Sequence, residues 1–374
     1  MLYDKLKEYA TGGVYPMHMP GHKRNTALLP PGLPYEIDIT EINGFDDLHE
    51  PRGVLLETAK LAAELYGSDK SYLLVNGSTV GILAAIGAHT KRGDKILIAG
   101  ACHRSVNNAA ALFGLEPVYI TPDADDASGI QPSVDPASVA SALDNDVGIK
   151  LVVVTSPSYE GVVSDIASIA QTVHARNLPL LVDSAHGAHL GFSKCFPDSA
   201  VHAGADIVVM SLHKTLPALT QCSLMHVCSN RANSTELKRL LSFLQTSSPS
   251  YVLMASIDRC LRLLASDKDR LFEGYERNLD RFRSDIKPLE NLYVLNRDAD
   301  SPPPGIFAFD PGKLVIVTKK TALSGITLSD ILRTEYKIEL ELARPNYAIA
   351  MTSICDNKEG LTRLAEALIK TDKK

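Results

Sequence analysis

The sequence predicts an α/β protein whose larger part is a mostly parallel sheet covered by helices on both faces, followed by a smaller α/β unit. Three observations predict it. From residue 51 onward, short apolar segments alternate with stretches of helical length and periodicity, the signature of parallel βαβ units. The strand-like segments are continuous runs such as Leu151 to Val154, and strands buried on both faces read this way. The chain has 374 residues, of which 45% are hydrophobic and 22% charged, enough to bury the cores of two domains.

Residues 1–50 hold Pro16, Pro20, Pro30, Pro31 and Pro34 and lack sustained periodicity; they predict one helix, Leu2 to Tyr9, and then an extended N-terminal arm. Residues 51–250 predict the large domain. Helices are expected at Val54 to Tyr66, Val80 to Ala88, Val106 to Phe113, Pro136 to Leu143 and Ile166 to His174. Strands are expected at Tyr72 to Val75, Lys95 to Ala99, Pro117 to Ile120, Leu151 to Val154, Leu180 to Asp183, Ile207 to Met210 and Ser223 to Val227. The stretch Thr246 to Ser250 then breaks the pattern. Residues 251–374 predict a long linker helix, about Tyr251 to Ser284, and a small α/β domain with strands near Leu314 to Val317 and Ala348 to Ser353.

The formal net charge is -6, and no Lys/Arg run is long enough to follow a phosphate backbone, which argues against nucleic acid as a partner. The first twenty residues contain no apolar segment of a secretory signal, and the apolar runs are too short to span a bilayer; a soluble, cytoplasmic protein is expected. The six cysteines show no CxxC pair and no Cys/His ligand spacing, so neither a disulfide nor a metal is expected.

In open α/β sheets ligands bind at the carboxyl ends of the strands, and four such ends carry reactive or anion-binding residues. Asn76-Gly77-Ser78-Thr79 turns a strand into a helix, pairing a permissive glycine and two hydroxyls with the free N–H groups of a helix start. Cys102-His103-Arg104-Ser105 offers an imidazole that can stack on a flat ring. Val182-Asp183-Ser184-Ala185-His186 ends an apolar strand with a carboxylate that needs a cationic partner, next to a small Ala185 against which a ring can lie. Ser211-Leu212-His213-Lys214 supplies a strand-end lysine able to act as an amine nucleophile, with Ser211 and His213 as further phosphate contacts. Each segment alone also reads as an ordinary helix cap, a loop aspartate, a structural histidine or a surface lysine. Together, in this chain order, they supply what pyridoxal 5'-phosphate requires: a phosphate cup, a stacking ring, an anion for the pyridine nitrogen and a Schiff-base lysine.

The sequence resembles the ornithine/lysine/arginine decarboxylase family of fold-type-I pyridoxal phosphate enzymes, in its compact bacterial form. The resemblance runs through Met17-His18-Met19-Pro20-Gly21-His22-Lys23-Arg24-Asn25, Asp38 to His49, Thr155 to Asp165, Ser211 to Gln221 and Gln245 to Ser250. It implies an aspartate aminotransferase-like large domain. It also implies that Gly77, Ser78, Thr79, Ser211 and His213 hold phosphate, His103 stacks on the ring, Asp183 holds the pyridine nitrogen with Ala185 and His186 beside the cofactor, and Lys214 carries it. Family members are at least dimers with interfacial active sites, so Thr246, Ser247 and Ser248 are expected to reach a partner's phosphate in a homodimer or tetramer. His22, Arg24, Asp46 and Asp47 are expected to close the substrate entrance. Three features depart from the family pattern: Ser184 stands where many compact relatives have Glu, no amino-terminal wing is present, and the chain stops at Lys374, before most of the carboxy-terminal domain of longer relatives.

The activity implied is decarboxylation of a basic L-amino acid, arginine favoured over lysine or ornithine, to carbon dioxide and an amine of polyamine metabolism. Asp46, Asp47, Glu339 and Glu341 are the acidic candidates for the substrate's distal cation, and His103, Cys222 or the released Lys214 for the proton donor to Cα. Arg344 keeps a second fold-type-I activity open, an aminotransferase in which it grips the α-carboxylate. A catalytically weak cofactor-binding protein is the third reading.

Overall fold

The computed structural model describes residues 1–125, 128–295, 305–318 and 320–373. In chain order the large part contains α1 (Leu2–Thr11), α2 (Val54–Tyr66), β1 (Lys70–Leu74), α3 (Gly77–His89), β2 (Lys95–Ala99), α4 (Arg104–Phe113), β3 (Glu116–Ile120), α5 (Pro136–Asn145), β4 (Ile149–Thr155), β5 (Val162–Val163), α6 (Ile166–His174), β6 (Leu180–Asp183), β7 (Ile207–Ser211), α7 (Leu212–Thr215), β8 (Ser223–Val227) and α8 (Ser234–Leu244). The chain continues through α9 (Tyr251–Asp285), β9 (Tyr293–Val294), β10 (Ala308–Phe309), β11 (Lys313–Val317), α10 (Gly325–Tyr336), β12 (Leu342–Ala343), β13 (Tyr347–Met351) and α11 (Lys358–Asp372).

Seven strands form the large sheet in the order β1-β8-β7-β6-β4-β2-β3. Only β8 runs against its neighbours β1 and β7; the other pairings are parallel, as the alternation predicts. Successive residues of a strand feed opposite faces. Leu151 and Val153 join the core beneath α3, α4 and α8, whereas Val152 and Val154 join the core shared with α2, α6 and α9. Helix α3 lies close on the sheet because Gly81 faces it: a Cβ there would sit 2.7 Å from Leu74 Cδ1 and 3.0 Å from Val209 Cγ1.

The C-terminal unit is an antiparallel four-stranded sheet, β12-β13-β11-β9, accompanied by α10 and α11. A two-stranded ladder, β10 with β5, ties it to the large part through Ala308–Val163 and Phe309–Val162. The 35-residue α9 extends about 50 Å and packs against α1, α2 and α11. Asp258 on α9 is fully buried and accepts from the Leu2 N–H at 3.1 Å, the Thr58 hydroxyl at 2.9 Å and Arg262 Nε at 2.9 Å, so one carboxylate clamps the first helix to the scaffold. No helix among the described residues is long and apolar enough to cross a membrane.

Two boundaries differ informatively from the periodicity. The helix expected from Val80 begins at Gly77, because Gly77, Ser78 and Thr79 are its polar first turn rather than a loop before it. The strand expected from Leu314 begins at Lys313, which is only 2% exposed; a buried lysine interrupts the apolar signal without ending the strand.

Candidate active site

The four strand-end segments lie along the carboxyl edge of the large sheet. Asp183 ends β6, in register with Thr155 of β4 on one side and Val209 of β7 on the other. Lys214 sits on the single turn α7 that follows β7 directly. His103 is the N-cap of α4: its Nδ1 accepts from the Ser105 N–H at 3.2 Å and lies 2.8 Å from Ser105 Oγ. An Nδ1 that accepts a backbone N–H leaves the ring proton on Nε2 in the neutral imidazole.

At the start of α3, Ser78 Oγ is 2.5 Å from Ser211 Oγ and 3.4 Å from Ser223 Oγ, which gathers three hydroxyls at a helix N-terminus. Gly77 has φ of +72° and donates its N–H to the Gln221 carbonyl at 3.1 Å, and space is open where a Cβ would be. Thr79 is exposed on the same turn. Thr246, Ser247 and Ser248 are exposed beside this cup, held by the Thr246 N–H donating to Asn76 Oδ1 at 3.1 Å. His213 is tied down differently: its Nδ1–H donates to the Cys222 carbonyl at 2.9 Å, leaving Nε2 an acceptor unless the ring is protonated.

The electrostatics of this edge are those of a site short of one partner. Asp183 is 2% exposed and accepts from the Ala185 N–H at 3.2 Å. Burial pushes its carboxyl above the usual range, against the opposing pull of Lys214, that N–H and His103. Burial also lowers Lys214, although Asp183 and Glu341 favour its charge, and burial lowers His103. Thr155 Oγ1, at the strand end next to Asp183, is buried without a hydrogen-bond partner among the described residues. A pyridine N–H against Asp183, a ring hydroxyl near Thr155, a phosphate on the Ser78 cup and an aldehyde carbon for Lys214 complete this set, so the residues fit pyridoxal phosphate.

The sequence reading missed Lys313, Asp310 and Tyr347, which the C-terminal unit brings to this edge. Lys214 Nζ lies 3.2 Å from His186 Nε2, and the other ring nitrogen of His186 is 2.8 Å from Lys313 Nζ. The His186 ring packs on Tyr159, 4.6 Å between centroids. Asp310 and His189, both buried, pair at 3.1 Å. The Tyr159 hydroxyl donates to Glu341, and the Tyr347 hydroxyl to Glu160 Oε1 at 2.8 Å. The available signal for Lys313 was a charged residue directly abutting an apolar strand.

The residues expected at the substrate entrance are placed unequally. Asp46 is spent on the backbone: it accepts N–H groups of Asp47, Arg52, Gly53 and Leu55 at 2.7 to 3.1 Å. Burial alone would push its carboxyl up, and these four donors together outweigh that and hold it below the usual range. A carboxylate so saturated organises the turn into α2 and has little left for a substrate cation. Asp47 accepts from the His49 N–H at 2.8 Å. His22 lies 3.3 Å from Asp38 Oδ2, and Arg24 stacks on Tyr9 at 4.6 Å, so both brace the arm. Glu339 pairs with Arg333 at 3.7 Å on the surface. Glu341 alone of the four acidic candidates acts on both Lys214 and Lys313. The Cys222 thiol donates to the Leu253 carbonyl at 3.3 Å, and burial pushes it up to about 11. Arg344 is exposed, close to Tyr159 and Tyr347. Ser184 is buried within the turn after β6, where its carbonyl accepts the Gly187 N–H at 2.8 Å.

Comparison with known proteins adds an independent line. The family model for the Orn/Lys/Arg decarboxylase major domain matches residues 1–301. The chain is 39% identical over 358 residues to the uncharacterized protein YaaO of Bacillus subtilis (strain 168), covering 93% of this chain and 72% of that one. It is 32% identical over 373 residues to the arginine decarboxylase of the same organism, covering 98% of this chain and 76% of the relative. In structure it resembles the lysine decarboxylase LdcF of Francisella novicida with a TM-score of 0.86 at 19% identity; all of this chain is covered, and it spans 60% of that chain.

Proposed function

The chain belongs to the Orn/Lys/Arg decarboxylase family, and from that premise we propose that it is a pyridoxal 5'-phosphate-dependent lyase that decarboxylates L-arginine. The observation that carries the reading is the buried Asp183, faced by Lys214 and His103 and short of a cationic partner. The arginine decarboxylase of Bacillus subtilis, 32% identical, supports arginine over lysine or ornithine.

Bound pyridoxal phosphate supplies an electron sink for the pair left when the bond from Cα to the carboxylate breaks. The chain's own residues do the rest. Asp183 holds the proton on the pyridine nitrogen, which its burial strengthens. Ser78, Ser211 and the N–H groups opening α3 bind the phosphate, with Gly77 letting the backbone approach. His103, locked by Ser105, would stack on the ring. Lys214, whose charged form burial disfavours, would present its amine to the cofactor and carry the proton to Cα. Glu341 takes the distal guanidinium. The balance is one substrate and one proton in, carbon dioxide and the amine out. The protein is assigned to the cytoplasm and to a homodimer or homotetramer in which Thr246, Ser247 and Ser248 reach the partner's phosphate.

Purified, cofactor-loaded wild type and Lys214→Ala should be offered L-arginine, L-lysine and L-ornithine while carbon dioxide and amine are followed together. Equal amounts of both from arginine, abolished in the variant, are expected. A keto acid in place of carbon dioxide, or no turnover of any of the three, would overturn the reading.

A further inference from the structure

Lys313 is the first residue of β11 in the small domain, yet its ammonium is directed into the large domain's active edge. It is 2% exposed and its Nζ is 2.8 Å from His186 Nδ1, while His186 Nε2 is 3.2 Å from Lys214 Nζ. Two lysines are thus joined through one imidazole, from two different domains. We infer that Lys313 is the proton reservoir of Lys214, acting through His186 as a positioning residue; this rests on Lys214 being the cofactor lysine, as proposed above.

In the resting state of the proposed relay the charge sits on Lys313. A neutral His186 whose Nδ1 accepts from the Lys313 ammonium carries its proton on Nε2, and that N–H can only be satisfied by a lone pair on Lys214. The charged lysine is then Lys313, and Lys214 is the neutral nucleophile. When Lys214 needs a proton, Lys313 gives one to Nδ1 as Nε2–H passes its own to Lys214 Nζ. One positive charge moves across, His186 changes tautomer, and no proton enters or leaves. After Lys214 has given that proton to Cα, the one proton the reaction takes up enters at His186 Nε2 as Nδ1–H returns its own to Lys313, which resets the site.

The surroundings suit a lysine that gives up its proton. Burial lowers Lys313 to about 8, with Asp310, Glu341 and Glu160 holding it up and Lys214 opposing them. The Tyr159 ring lies 5.8 Å from its Nζ. Asp310 gives Oδ1 to His189 and the Gly312 N–H, while its Oδ2 is buried without a hydrogen-bond partner among the described residues; it balances the charge of Lys313 through space. His186 is buried, and burial together with Lys313, Lys214, His103 and His189 drives it well below its ordinary value; it conducts without storing charge. On the Lys214 side the facing groups are Asp183 and Glu341. A salt bridge from Lys313 to Asp310 would have served stability alone; the short bond goes to His186 instead.

The test uses full-length protein stripped of cofactor, then exposed to pyridoxal phosphate with borohydride trapping across a pH series, the modified residue located by peptide mass. In Lys313→Met, loss of the neighbouring charge should raise the midpoint for trapping at Lys214 by about one pH unit and slow trapping about tenfold at neutral pH. Lys313→Arg keeps the charge but releases no proton; its trapping midpoint should match wild type while kcat in the reloaded enzyme falls at least about tenfold with KM unchanged. A wild-type midpoint in a folded Lys313→Met protein, or wild-type kcat in Lys313→Arg, would overturn the relay; if the Met variant does not fold, the Arg variant decides. Failure of wild type to trap cofactor at Lys214 would instead remove the reading on which the inference rests, and the inference with it.

Discussion

Three buried or half-buried carboxylates face opposite demands: Asp46 in the arm, Asp258 on α9 and Asp183 at the sheet edge. Asp258 and Asp46 are met by protein donors: three for Asp258, from Leu2, Thr58 and Arg262, and four backbone N–H groups for Asp46. Asp183 accepts from the Ala185 N–H and has a lowered lysine and a lowered histidine for neighbours. The difference teaches how to separate structural from functional acids in one chain. A carboxylate whose oxygens are all paid out holds the fold together, whereas one left short of donors is reserved for a ligand.

The largest effect that would break this contrast is expected at Asp183. Asp183→Asn should lower kcat/KM about 10²- to 10³-fold while leaving the melting temperature of the cofactor-free protein unchanged or higher, since a buried, under-satisfied charge is removed. Loss of stability together with activity would make Asp183 structural after all. Asp258→Ala should do the reverse. It strands the Leu2 N–H and unpairs Arg262, and should cost about 2 to 3 kcal/mol in denaturant unfolding, with cofactor trapping intact in the protein that remains folded.

Asp46→Ala should cost about 1 to 2 kcal/mol by the same measurement and carries a pH signature. The folded-state value of Asp46 lies below that of an ordinary aspartate, so its contribution is full above the ordinary, unfolded value and is lost as pH falls through the lower folded one. Wild type should therefore lose stability over this acid window more steeply than Asp46→Ala, and identical acid slopes would show that Asp46 is not the turn's anchor. The smallest effect is expected in the cup. Ser78→Ala removes one of three hydroxyls and should weaken pyridoxal phosphate binding about five- to tenfold by equilibrium titration, the worth of one hydrogen bond. No change would place the phosphate elsewhere.

The strand and helix pattern of the large part was legible because burial on both faces writes continuous apolar runs, and β2, β6 and β8 begin and end where those runs do. The short ladders β5, β9, β10 and β12 were not, since two-residue strands carry no periodicity. At the site, Asp183, Lys214, His103 and Ser78 could be picked out because each ends a strand or lies within four residues of a strand's end, and chain topology alone brings such ends to one edge. Asp46 looked as available as Glu341 in the sequence. Only the packed turn reveals that four N–H groups occupy one, while the other acts on the two lysines.

The sequence by itself determined the parallel sheet, its helical cover and the cluster of reactive residues at the strand ends, because these depend on short-range periodicity and on the order of elements. Tertiary structure alone decided that Lys313, 99 positions beyond Lys214, would share an imidazole with it. That contact joins two different sheets, and its polarity depends on where neighbouring charges come to rest. A buried lysine's proton is governed by burial and by partners distant along the chain, neither of which is written in the residues beside it.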